Sequence, residues 1–187
     1  LFERGGFRTW LREVYERLQS TGAAPPAADP QAPALVIEYE CVSTDEALDR
    51  WIDAIERAEL VSFDTETTAL DPMAAQLVGL SLSLEPGKAC YVPVAHAYAG
   101  VPDQLSRTHV LARLKPWLEN PARAKVGQHL KYDMHVLENH GIRLAGVAHD
   151  TLLESYVLES HKPHDMDSLA WRHLSVKTIT YDDVTGK

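Results

Sequence analysis

An α/β domain built on a mixed β-sheet is the fold class that this sequence predicts, on three observations. Strand-like runs come first: Leu60–Phe63, Gln76–Leu84 and Ala89–Val94 are rich in Val, Leu and Phe. Later runs, Ala124–Gly127 and Val147–His149, alternate with helix-length apolar periodicities, and strands followed by strand–helix alternation belong to a sheet covered by helices. The chain has 187 residues and 45% hydrophobic content, enough for one domain with a true core plus an appendage.

The appendage comes first along the chain. Residues 1–21 predict an amphipathic helix, with Phe7, Trp10, Leu11, Val14 and Leu18 on one face. Residues 22–34, GAAPPAADPQAPA, predict an extended linker, because four prolines remove donors and stiffen the backbone. The globular part spans residues 35–187. A short strand is expected over Val36–Tyr39. Ser43 with Glu46 reads as a capping box that opens a helix whose apolar face is Leu48, Trp51, Ile52 and Ile55. Glu85-Pro86-Gly87-Lys88 between two strand runs is a hairpin signal. A helix over Ser106–Leu118 follows, with Pro116 weakening its last turn. His129–Asn139 predicts a helix with Leu130, Met134 and Leu137 on one face, ended by Gly141. Asp150 caps a helix through Leu158, and a last helix is expected from Asp167 to Leu174. There are no internal repeats.

Three carboxylates carry the chemical signal. Asp64 and Glu66 are two apart on a strand, so they face the same way, and they repel each other. Asp133 falls on the apolar stripe of its helix, where a charge needs a partner. A strand pair plus one inward helix carboxylate makes an oxygen-rich cage suited to hard divalent cations and to two-metal phosphodiester hydrolysis. The bland alternative is that acids merely cap or close strands. His129 and Asp133, one helical turn apart, could hold zinc, but further nitrogen or sulfur ligands are not evident. His161, His164 and His173 lie near Asp165 and Asp167. Capping and loop hydrogen bonds explain those two acids more economically.

At these residues the chain resembles the 3′–5′ proofreading exonuclease domains of bacterial DNA polymerases I, the Klenow-type module. FDTETTALD and VGQHLKYD match that family's first two exonuclease motifs. LVGLSLSLEPGKACYVPVAH, HDTLLESYVLES and HDMDSLAWRHLSVKTITYDD read the same way, so the resemblance runs from about Leu35 to the end. LFERGGFRTWLREV resembles the last helical segment of the polymerase's 5′ nuclease domain.

The resemblance implies a ribonuclease H-like exonuclease fold and two divalent cations, Mg2+ or Mn2+. Asp64 would bridge both metals, Glu66 would hold the first, and Asp133 would serve the second largely through water. Thr65, Leu70, His129 and Tyr181 would touch substrate, Leu70 as a wedge and Tyr181 by stacking on a base; ordinary packing is the alternative for Leu70. His129 stands where the family usually has Asn, which makes any contact pH-dependent. Lys131 and Tyr132 are expected to face outward. The family's third motif, Tyr-x-x-x-Asp, has no match after Asp133, and Tyr181 is followed four residues on by Thr185. The chain, which starts at Leu rather than Met, therefore reads as a piece that binds metal weakly, cleaves weakly or not at all, and exposes apolar surface.

A net charge of −9 argues against a basic surface that grips duplex DNA. It leaves room for a single-stranded DNA 3′ end drawn to cations, beside the polymerase domain of the same parent chain. Two isolated cysteines, Cys41 and Cys90, fit a reducing cytosol, and the resemblance implies a bacterial, cytoplasmic, nucleoid-associated protein. No apolar run is long enough to span a membrane. A ribonuclease D-type RNA exonuclease and a non-catalytic scaffold domain are the alternatives. The terminal helix and linker favour the polymerase over the first, and the retained carboxylates weigh against the second.

Overall fold

Alternation along the central strand decides which residues meet the core. From Leu60 to Thr67, Val61, Phe63 and Thr65 turn inward while Ser62, Asp64 and Glu66 turn out. The computed structural model describes residues 37–179 and Asp183, all within one unit spanning 35–187. The expected helix 1–21, the linker 22–34 and Tyr181 lie outside the described residues.

The elements, in order, are β1 (Glu38–Cys41), α1 (Asp45–Arg57), β2 (Leu60–Thr67), β3 (Leu77–Glu85), β4 (Lys88–Pro93), α2 (Arg107–Leu118), β5 (Ala124–Gly127), α3 (Leu130–Glu138), β6 (Val147–Asp150), α4 (Thr151–Glu159) and α5 (Met166–Leu169). A π-helical turn over Ala170–Leu174 follows α5. The strands form a six-stranded sheet in the order β1-β4-β3-β2-β5-β6. β2 pairs antiparallel with β3 and parallel with β5, so the expected mixed sheet is present. One apolar cluster joins Leu48 and Ile55 of α1, Leu114 and Trp117 of α2, and Leu130 and Leu137 of α3 to Phe63, Leu80 and Val92 of the sheet. Burying side chains of this size contributes about 1.5–3 kcal/mol each.

Several element edges differ from expectation for identifiable reasons. β1 starts at Glu38 because its parallel partner β4 starts at Lys88, and the Glu38 N–H donates to the Gly87 carbonyl (2.7 Å). The cap of α1 is Thr44, not Ser43: Thr44 Oγ1 accepts from the Ala47 N–H (3.3 Å), which leaves Glu46 out of capping-box register. α2 runs through Pro116 to its expected end at Leu118, with Trp117 and Leu118 buried. In α3, Val136 rather than Met134 completes the buried face, and Met134 is 42% exposed. The last helix is split. Asp165 caps α5 by accepting from the Ser168 N–H (2.8 Å), and Asp167 accepts from Thr178 Oγ1 (2.6 Å), so both acids do structural work.

A charged residue sits where periodicity offers no hint of it. Lys125 of β5 is wholly buried. Its ammonium donates to the Arg123 carbonyl (2.9 Å) and lies 4.3 Å from the Trp117 ring centre, and burial draws its pKa down to about 8.

Asp150 ties two helices together. Its Oδ1 accepts from the N–H groups of Leu152 (3.0 Å) and Leu153 (3.2 Å) at the start of α4. The same carboxylate accepts from the N–H groups of His129 (3.2 Å) and Leu130 (2.9 Å) at the start of α3. Both helix N-termini carry partial positive charge, which suits one shared anion. Asp150→Ala is expected to lower unfolding stability by about 3 kcal/mol, because several donors to a charged group lose their acceptor together. Urea unfolding checks this; a loss below about 0.5 kcal/mol would show that water replaces the clamp.

Candidate active site

Gly127 closes β5 and lets α3 approach β2. A Cβ there would stand 2.7 Å from the Phe63 carbonyl oxygen and 2.5 Å from a Leu130 methyl carbon. The chain then enters α3 through His129, whose backbone is left-handed (φ 63°), so the helix begins at Leu130. Asp133 lies on its buried face with 2% of its surface exposed.

Asp133 meets β2 at Thr65, the residue between the other two acids. The Thr65 hydroxyl donates to Asp133 Oδ1 (2.6 Å), and the Thr65 N–H donates to the same oxygen (3.0 Å). Thr65, expected to touch substrate, is instead buried and turned toward the helix layer. Asp64 and Glu66 project from the opposite face. Asp133 thus reaches β2 at the residue between Asp64 and Glu66, and its charge acts on Asp64. Among the described residues no three His, Cys, Asp or Glu side chains are gathered in a metal-holding arrangement. The histidine–aspartate cluster near His161, His164 and His173 is likewise absent among them. Ser155 Oγ instead pairs with His164 Nδ1 (2.7 Å), and Glu159 draws in Arg172 and His173.

Electrostatics couple the carboxyls nonetheless. Burial first, then the charges of Asp133 and Glu66, push Asp64 up to about 7 from 3.8, against a smaller pull from the Thr65 N–H. Asp64 is exposed at its surface, yet protein packs densely around its carboxyl, and that shell sets the shift. Burial also raises Asp133, opposed by the Thr65 hydrogen bonds and by nearby His129. Mutually repelling carboxyls held partly out of water fit a divalent cation, which would remove the repulsion.

Two neighbours were not legible as site residues. Tyr132, expected to face outward, is partly buried; its hydroxyl bonds Thr67 Oγ1 and donates to the Ala69 carbonyl. It thereby holds the loop that presents Leu70, which is 96% exposed and so not a packing residue. Gln128 donates to the His164 carbonyl (2.8 Å) and accepts from Thr151 Oγ1, linking the end of β5 to the segment after α4. Only the place of these two residues within VGQHLKYD could have drawn attention to them. His129, expected to touch substrate, is exposed at the start of α3.

A family profile for 3′–5′ exonucleases matches residues 39–187. The chain belongs to the 3′–5′ exonuclease family. It is 47% identical over its whole length to DNA polymerase I of Pseudomonas aeruginosa, of which it spans 21%, and 40% identical over 74% of its length to that of Rhizobium leguminosarum, of which it spans 15%. The chain thus covers a small share of the relatives it matches. Among solved structures, the catalytic core of RRP6 from Trypanosoma brucei aligns with a TM-score of 0.62 at 14% identity, over 82% of this chain and 39% of that one. Escherichia coli RNase D aligns at 0.55 and 19% identity, over 76% of this chain and 35% of that one. Brucella melitensis NrnC with bound Mg2+ aligns at 0.53 and 19% identity, over 81% and 68%. The exonuclease domain therefore has the expected ribonuclease H-like fold. Among its described residues no helix is long and apolar enough to cross a membrane.

Thr65→Val removes the hydroxyl donor to Asp133 while keeping shape. It is expected to weaken Mn2+ binding about tenfold, with Thr65→Ser restoring it; equal affinity in all three proteins would show that the hydroxyl does not orient Asp133. The raised Asp64 pKa sets a pH trend. Below its ordinary 3.8 the group is neutral folded or unfolded; above that, the unfolded chain releases a proton that the fold retains until about pH 7. Stability is thus expected to fall as pH rises through this window. In urea unfolding at about pH 5 and about pH 8, Asp64→Asn is expected to shrink the difference, and an unchanged difference would refute the assignment.

Proposed function

We propose that this chain is the editing 3′–5′ exonuclease domain of a DNA polymerase I, hydrolysing the 3′-terminal phosphodiester of a single DNA strand with two divalent cations, Mg2+ or Mn2+. The observation that carries the reading is the convergence of Asp64, Glu66 and Asp133 on one stretch of β2, with Asp64 and Asp133 both shifted toward the protonated form. The names of the relatives support DNA as the substrate and a polymerase domain as the neighbour in the parent chain.

In this reading Asp64 and Glu66 hold the cations from the open face of β2. Asp133, oriented by Thr65, contributes from the helix side. When bound, the cations supply an activated water and offset charge on the leaving oxygen. His129, at the exposed start of α3, is placed to donate to a substrate phosphate. Leu70 wedges against the terminal base, and Tyr181 stacks on a base. No Tyr-x-x-x-Asp follows Asp133 within the 187 residues. RNA trimming is the second reading, favoured by the shared fold with RNase D and RRP6.

The deciding experiment pairs Mn2+ titration with a cleavage assay on 5′-labelled DNA and RNA strands. Asp64→Ala is expected to lower Mn2+ affinity at least about tenfold and to abolish any stepwise shortening. Equal Mn2+ uptake by wild type and variant would remove the metal-dependent reading. Asp64-dependent shortening of RNA in preference to DNA would move the assignment to RNA trimming.

A further inference from the structure

The open face of the sheet continues past the carboxylates. Asp64 is paired across β3 with Ser81, Ser81 with Tyr91 of β4, and Tyr91 with Cys41 of β1. Directly paired residues project to one face, so Tyr91 shares the face of Asp64. With neighbouring strands about 4.8 Å apart, it stands about 10 Å from Asp64 along the sheet. Gly79, paired with Glu66, lets the Tyr91 ring lean over that row: a Cβ at Gly79 would lie 1.9 Å from the phenol oxygen.

Beyond Tyr91 opens a cavity of about 530 Å³, walled by Tyr91, Pro93, His96, Tyr98, Pro102 and Asp103. That is within the range of small-ligand sites, roughly 300–1,000 Å³. Its aromatic wall is built in advance. Tyr91 Oη and His96 Nε2 are 2.6 Å apart, and the rings of Tyr91, His96 and Tyr98 follow one another at 5.8 and 6.1 Å between centres. Gln104 brackets His96: its Oε1 accepts from the His96 N–H (3.0 Å) and its Nε2 donates to the His96 carbonyl (2.8 Å). The N–H groups of Val94 and Ala95 both donate to the Val78 carbonyl, which fixes where the loop leaves β4. Tyr98 remains 60% exposed, leaving ring surface for a ligand.

The wall chemistry selects the ligand class. Among the described residues neither Lys nor Arg lines the cavity, and Asp103 does, so a phosphate is disfavoured there. A flat, neutral heteroaromatic ring suits it: tyrosine rings offer sequence-tolerant stacking, and a carboxylate accepts from exocyclic base amines. We infer that this cavity is a subsite for an unpaired nucleobase of the same strand whose 3′ end is held at Asp64 and Glu66, with Tyr98 and His96 as the stacking wall. The inference rests on the exonuclease reading and adds to it a second hold on the strand, away from the scissile bond.

The test reads binding of this chain to a 5′-fluorescein single DNA strand by anisotropy, with Ca2+ as the cation. Strands carrying one abasic site at successive positions from the 3′ end are compared with the intact strand. Loss of the base at one position is expected to weaken wild-type binding about tenfold. Tyr98→Ala is expected to weaken binding of the intact strand by a similar factor, and the two losses are expected not to add, because they remove the same contact. Tyr98→Phe, which keeps the ring, is expected to bind as wild type. Unchanged binding by Tyr98→Ala, additive losses, or no binding of DNA by the wild type would each overturn the subsite. A parallel Mn2+ titration separates the two readings. Asp64-dependent Mn2+ uptake with no base-sensitive position overturns the subsite alone. Base-sensitive binding without Asp64-dependent Mn2+ uptake supports the subsite and overturns the exonuclease reading.

Discussion

The buried junction between Thr65 and Asp133 is the constraint on which the site depends. A carboxyl with 2% of its surface exposed is costly to bury unless it is hydrogen-bonded. Here one residue supplies both a backbone and a hydroxyl donor to the same oxygen. That pairing fixes the helix α3 against the central strand at the residue between Asp64 and Glu66. It therefore links the two sequence motifs through a single side chain. Moving Thr65 would leave Asp133 desolvated and unpaired, and would free α3 to shift relative to the acids on β2.

The surrounding structure supports this junction from three sides. Gly127 supplies the close approach, since any side chain there would meet the Phe63 carbonyl. Asp150 holds the N-termini of α3 and α4 on one carboxylate, which fixes where Asp133 enters the layer. Tyr132, one residue before Asp133, ties the loop after β2 to the same helix and leaves Leu70 standing in solvent. The left-handed backbone at His129 fits this scheme. A bulky residue at positive φ costs on the order of 1 kcal/mol, and the bond from its N–H to Asp150 helps hold it there.

On the outer face the balance is reversed. Among the described residues no cationic side chain offsets the push on Asp64, which retains its proton to about pH 7. The helix side is well satisfied and the open side is electrostatically frustrated. Such a division is what a cation-dependent centre requires: the helix layer keeps the geometry rigid, and the unmet charge is left where a ligand can reach it. The aromatic cavity beyond Tyr91 lies on this same face, two strands away, so cation and base chemistry would share one surface of the sheet.

The mixed sheet, the hairpin at Pro86-Gly87, the strand around Asp64 and the inward turn of Asp133 were legible in the sequence, because each is written in local periodicity or turn chemistry. Family membership was legible too, through FDTETTALD and VGQHLKYD. What periodicity could not show is which side of β2 receives Asp133. It fixes that Asp64 and Glu66 share a face, but not that α3 docks on the opposite one, where Thr65 takes up the carboxyl. Nor could it show the buried Lys125, the four N–H groups on Asp150, or Tyr132 turned inward. Each is decided by contacts between residues far apart in the chain, and local pattern carries no record of those. Periodicity alone determined which residues could face inward together; the docking of helix on sheet decided which of them meet.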